Sequence, residues 1–231
     1  MKRTSLRLFS LFLALLLLAG CAGAKEYRPA QVRFDESGIP VYEGKSSAVM
    51  EGNEPSFTDR QKSSLNSFEI YAPLDPLGRC GPALANLSRE TMPTEPRSSI
   101  GMIKPTGWHL IKSERVDGGY LYNRCHLIGY LLSGENANEC NLVTGTREMN
   151  VSGMLPYETA VADFIRETGY HVLYRATPLF VGDELLCRGV ELEALSLEDG
   201  GKGISFHVFC FNVQPGFEID YATGKARETA T

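Results

Sequence analysis

The stretch from Leu155 to Thr168 and the three apolar runs behind it constrain the fold most. Tyr157, Val161, Phe164, Ile165 and Thr168 fall on one stripe at helical spacing. Pro156 suits a first-turn position and Gly169 a stop, so the spacing predicts a helix over 155–168. His171–Val181, Glu184–Leu195 and Ile204–Val213 are rich in branched and aromatic residues and are separated by Gly-Asp and Gly-Gly-Lys-Gly turns, so they read as strands of one sheet. Upstream, Gly119–Gly129 reads as a further extended segment. The fold class that follows is α+β, a mixed or antiparallel central sheet with flanking helices.

The chain begins with the layout of an export signal. Lys2, Arg3 and Arg7 precede an apolar run, Leu8 to Leu18, that holds no acidic residue. That run is shorter than the roughly 20 residues a spanning helix needs. Leu18-Ala19-Gly20-Cys21 resembles a bacterial lipobox, in which Cys21 is lipidated and becomes the new N-terminus; the alternative is ordinary signal cleavage near Ala22 to Lys25. Residues 21–63 show little periodicity and many turn formers, which predicts a lipidated N-terminus and a flexible tether, with one strand around Pro40–Tyr42. A single domain is expected over 64–231, long enough for its own core and without internal repeats.

Charge argues against a generally basic surface. The whole chain carries 23 Lys+Arg against 28 Asp+Glu, and loss of residues 1–20 removes three basic and no acidic residues, moving the formal charge from −5 to −8. Any polyanionic partner must therefore be held by a local patch, for which Arg97, Lys104, Arg124, Arg147 and Arg175 are available. Six cysteines become five if Cys21 is lipidated, so at least one free thiol is expected; Cys187 and Cys210, both in strand-like segments, are a candidate pair. No Cys/His spacing matches a zinc site.

The chemistry concentrates in Tyr122-Asn-Arg-Cys-His-Leu127 and in Asn141, Asn150 and Glu158. A histidine accepts a proton near neutral pH, and amide and carboxylate oxygens suit Mg²⁺, which keeps most of its waters. Metal-assisted phosphodiester cleavage is the chemistry these residues suggest. Adjacent residues on a strand point to opposite faces, so Cys125 and His126 do not make a nucleophile pair in the usual way. Trp108, the sole tryptophan, reads as a buried anchor at the domain edge.

Asn123-Arg-Cys-His126 resembles the Asp-Arg-Gly-His signature of the DNA/RNA non-specific endonucleases with a ββα-metal active site, in particular secreted nucleases of Gram-positive bacteria. The resemblance extends to Tyr71–Arg79, Lys104–Trp108, Asn141–Arg147, Val172–Pro178 and Asn212–Gly216, and covers roughly Ser64 to Gly224. It implies an Mg²⁺-dependent endonuclease, with Mn²⁺ as a substitute, that cuts DNA and also RNA to 5′-phosphate ends. His126 would be the general base, Asn150 the direct metal ligand, and Arg124 the phosphate clamp. Asn141 and Glu158, nine residues before and eight after Asn150, would orient the site and the metal-bound waters, and Arg147 and Arg175 would bind substrate. The implied place is the outer face of the bacterial cytoplasmic membrane, held through Cys21, or secretion. Asn123 and Cys125 depart from the commoner Asp and Gly or Ser. The alternative from another class is a non-catalytic surface lipoprotein of the same fold that binds nucleic acid or a protein.

Overall fold

The structure, a computed structural model, describes residues 32–230. The expected export signal and Cys21 lie outside the described residues. Strands β1 (Ser47–Val49), β2 (Phe68–Tyr71), β3 (Ala83–Leu87), β6 (Val172–Leu179), β7 (Gly189–Ser196) and β8 (Ser205–Phe211) form one sheet in the order β1-β8-β7-β6-β3-β2. Every neighbouring pair in it is antiparallel. A separate antiparallel pair is made by β4 (Tyr122–His126) and β5 (Leu142–Thr146), and a third by β9 (Phe217–Ile219) and β10 (Ala226–Glu228). The α-helices among the described residues are α1 (Asp59–Lys62), α2 (Tyr130–Ser133) and α3 (Leu155–Thr168).

Helix α3 has the bounds its sequence predicts. Pro156 sits in the first turn and Gly169 closes the helix in the left-handed conformation at φ 75°, its N–H returning to Ile165 O. The apolar stripe buries Val161, Ala162 and Ile165 against Tyr174, Ala176, Leu192, Ala194 and Val208 of the sheet. Complete burial of a side chain the size of Val161 or Ile165 contributes about 1.5–3 kcal/mol. On β6, β7 and β8 alternate residues face α3, and the residues between them face the other way.

Two expectations differ from what the structure contains. In the segment read as a tether, the strand is Ser47–Val49, pairing with β8 at the sheet edge, while Pro40 makes only an isolated bridge to Phe34. Three residues bounded by Gly44 and Gly52 carry almost no periodic signal; β8 supplies the pairing that fixes them. Cys187 and Cys210 are not bonded to each other: Cys80, Cys125, Cys140, Cys187 and Cys210 are all free thiols.

Candidate active site

Strand β4 is where backbone alternation separates packing from chemistry. Cys125 is fully buried among core residues, where burial pushes its thiol well above its ordinary value. It lies against Gly145, at which a Cβ would come within 2.4 Å of the Cys125 sulfur. Arg124 and His126 project to the other face of β4, so Cys125 and His126 do not meet as a nucleophile pair.

The imidazole of His126 is held by two partners. Nε2 lies 2.9 Å from the Asn136 carbonyl oxygen, which can only accept, so Nε2 carries the proton and Nδ1 keeps a lone pair. Nδ1 faces the Arg97 guanidinium at 3.4 Å. Burial holds the ring's pKa below its ordinary value of 6.5; the Asn136 carbonyl opposes this and the Arg97 charge adds to it. The ring is therefore a neutral base at neutral pH.

Asn141 sets the turn that follows. Its Oδ1 accepts from the Ile128 N–H at 2.9 Å and its Nδ2 donates to Ile128 O at 3.1 Å, so one side chain closes the backbone just beyond His126. Gly129 comes next, and a Cβ there would lie 2.7 Å from a Glu158 carboxylate oxygen; only a glycine lets the carboxylate sit so close. Glu158, in the first turn of α3, is buried, and desolvation pushes its carboxyl up to about 8 against the opposing effects of the Arg97 charge and the Gly129 N–H. Asn150 lies in a π-helical turn, Met149–Met154, whose wider backbone is closed by the Leu155 N–H on Asn150 O. Such turns are frequent at functional sites.

An open cavity of about 480 Å³ lies beside these pieces: Arg97, Arg124, Arg147 and Asn150 line it together with Trp108, Leu110, Tyr120 and Tyr122, whereas His126, Asn141 and Glu158 are not in its walls and no carboxylate among the described residues is. Arg124 donates to the carbonyls of Ile103 and Gly101 and stacks on Trp108, 4.0 Å from the ring centroid. Arg147 is paired with Asp117 at 2.9 Å. Trp108 is half-buried, packed on Leu121, Tyr122 and Leu186. A chain with a formal charge of −5 thus presents a locally cationic cavity.

Arg175, expected to bind substrate, does not line this cavity. Tyr174 and Ala176 face α3, so Arg175 faces away, where it pairs with Glu193, donates to Ser56 Oγ at 2.6 Å and covers the Phe57 ring. On that side Glu191, Glu193 and His207 bring one potential ligand atom each within 4.8 Å of one another. Those atoms already bond: His207 to Glu191 and the Glu54 carbonyl, Glu193 to Arg175 and Ser56. Arg97 is the gain. In the sequence it is only one of several basic residues; the structure puts it on the imidazole.

A family profile described as DNA/RNA non-specific endonuclease matches residues 59–197, which span β2 to β7 and every residue of the cavity. The chain belongs to the DNA/RNA non-specific endonuclease family. Its fold is similar to that of NucA from Streptococcus agalactiae, solved with a magnesium ion bound, at 26% identity and a TM-score of 0.68, over 77% of this chain and 84% of that one. It is similar also to Sda1 nuclease, solved with a bound zinc ion, at 28% identity and a TM-score of 0.65, over 81% and 97%. A deoxyribonuclease of Streptococcus dysgalactiae subsp. equisimilis is 36% identical over 110 residues, which are 46% of this chain and 32% of that protein. The chain thus spans about a third of that relative's length.

The residues present fit a hard divalent cation. Glu158 is a buried carboxylate whose ionised form is disfavoured by desolvation, a cost a neighbouring cation offsets, and Asn150 adds a neutral amide oxygen.

Proposed function

We propose that this family member is an exported, Mg²⁺-dependent endonuclease that hydrolyses DNA and RNA to 5′-phosphate ends without strong sequence preference. The observation that carries the reading is the His126 imidazole, fixed as the Nε2–H tautomer, with its Nδ1 lone pair turned to the Arg97 guanidinium, from which it accepts. The NucA structure with magnesium supports the choice of metal. As Arg97 turns from the ring to a phosphate oxygen, His126 Nδ1 takes a proton from water, the hydroxide attacks phosphorus in line with the 3′ oxygen, and that oxygen leaves as a hydroxyl after taking a proton from solvent. A base so placed contributes about 10²–10⁴-fold. Arg97 and Arg124 hold phosphate oxygens as their charge rises, and Arg147 holds a neighbouring phosphate. Asn150 and Glu158 would hold the ion, which when bound supplies positive charge to the reacting phosphate. Because these contacts go to phosphate, they read no sequence.

Digestion of plasmid, linear and single-stranded DNA and of RNA by residues 22–231, with Mg²⁺ or with EDTA, tests this reading; binding without cleavage in Mg²⁺ would leave only the non-catalytic alternative. The reading includes location. Residues 1–20 direct export and Cys21 becomes the lipidated N-terminus of the mature protein, whose domain begins by residue 64. Cys21→Ser should move the protein out of the membrane fraction or leave a precursor, and equal soluble secretion of both forms would instead indicate ordinary signal cleavage.

A further inference from the structure

We propose that Tyr120, Leu110 and Trp108 form a nucleobase subsite beside the arginines, through which the enzyme favours strands whose bases are unstacked. The proposal rests on the endonuclease reading and names a substrate class within it.

The subsite begins with an antiparallel bridge. Lys112 pairs with Tyr120, and the Leu121 N–H donates to Ile111 O at 3.0 Å. Leu110, beside this bridge, and Tyr120, within it, line the same cavity as Tyr122 and Arg124 at the start of β4. Tyr122 is buried, but Leu110 is 69% and Tyr120 43% exposed, and both line the cavity that holds Arg97, Arg124 and Arg147.

The chemistry of the walls selects the occupant. Three guanidiniums, of which Arg147 is paired with the Asp117 carboxylate, call for anions, and the exposed phenol ring and leucine beside them call for a flat apolar group. A nucleotide carries both on one scaffold, and about 480 Å³ lies within the range of small-ligand pockets. Trp108 is half-buried under Arg124 and packed on Leu121 and Leu186, whereas Tyr120 is exposed, so Tyr120 is the stacking platform and Trp108 the wall. Lys112, over the Tyr120 ring at 5.5 Å, adds positive charge at the rim. In a duplex the base faces are already stacked on one another. A single strand or a frayed end presents them freely. Tyr120 stands before the start of β4 and His126 at its other end, so the base it takes belongs to a nucleotide away from the scissile phosphate.

The chain's sole tryptophan makes the test direct, because Trp108 emission reports on the cavity itself. In full-length protein carrying His126→Ala, a single-stranded oligodeoxynucleotide and an abasic phosphodeoxyribose strand of equal length are titrated while Trp108 emission is followed. The base-bearing strand should bind about 5- to 100-fold more tightly and alone should change the emission. Tyr120→Ala should abolish most of that preference and Tyr120→Phe should retain it. In the active enzyme, Tyr120→Ala should lower kcat/KM for single strands through KM. Equal affinity for the two strands would overturn the subsite and leave the endonuclease reading intact, whereas failure of both strands to bind would remove the two together.

Discussion

Glu158→Gln should remove a pH-dependent weakness from the metal-free protein. The carboxyl has an ordinary value of 4.5 and is pushed up to about 8 by burial in the first turn of α3. Between these values the folded state keeps a proton that the unfolded state has released. The stabilisation from this group is therefore complete below pH 4.5 and is lost as pH rises to about 8, at about 1.4 kcal/mol for each pH unit. From pH 5 to pH 8 that amounts to about 4 kcal/mol, or roughly 10–15 °C in Tm for a domain of this size. Glutamine keeps the shape and cannot titrate, so the difference between the two proteins isolates Glu158 from every other group. Melts followed by circular dichroism in EDTA across this range should show the wild-type Tm falling relative to that of the variant. Mg²⁺ should restore the wild type at pH 8 and do little at pH 5, because only the ionised carboxylate attracts the ion. Parallel Tm curves for the two proteins would refute the buried, cation-seeking carboxylate.

Three further outcomes are expected. Asn150→Ala should leave a folded protein that has lost turnover at the Mg²⁺ concentration saturating the wild type, since one amide oxygen is its direct attachment for the ion; full activity at unchanged Mg²⁺ would place the ligand elsewhere. The acid limb of the wild-type rate should lie below the ordinary histidine range, because the active form is the neutral ring and its pKa is lowered; Arg97→Ala removes a positive charge from its side, so the limb should move to higher pH while the rate falls by about 10²-fold, and an unmoved limb would separate Arg97 from His126. Binding of duplex DNA by the His126→Ala protein should depend weakly on salt, with a log–log slope near −3 for contacts from Arg97, Arg124 and Arg147 at about 0.9 each, whereas a slope several times steeper would require an extended basic surface.

Local signals made α3 and the three long strands legible. Pro156 and Gly169 are conformational stops that act whatever surrounds them, and the apolar stripe between them has one face to bury. The signature points to His126, Asn150 and Glu158, but it cannot show how the Glu158 carboxylate is cradled over Gly129. The side to which Arg175 turns is legible from alternation: in a strand that buries Tyr174 and Ala176 against a helix, the residue between them faces away. Arg97 was different in kind. It sits in an irregular stretch between β3 and β4, where no period relates a residue to its neighbours, and only the tertiary path of the chain sets it against His126. β1 is similarly short, and its pairing belongs to β8 more than to itself.

The most direct test is the Mg²⁺-dependent cleavage rate of His126→Ala, measured beside its circular dichroism and its affinity for DNA. A folded protein that still binds DNA and cleaves roughly 10²-fold or more slowly is the predicted result. Near-native cleavage by a protein of unchanged fold would contradict the assignment of His126 as the general base, and with it the mechanism built on that side chain.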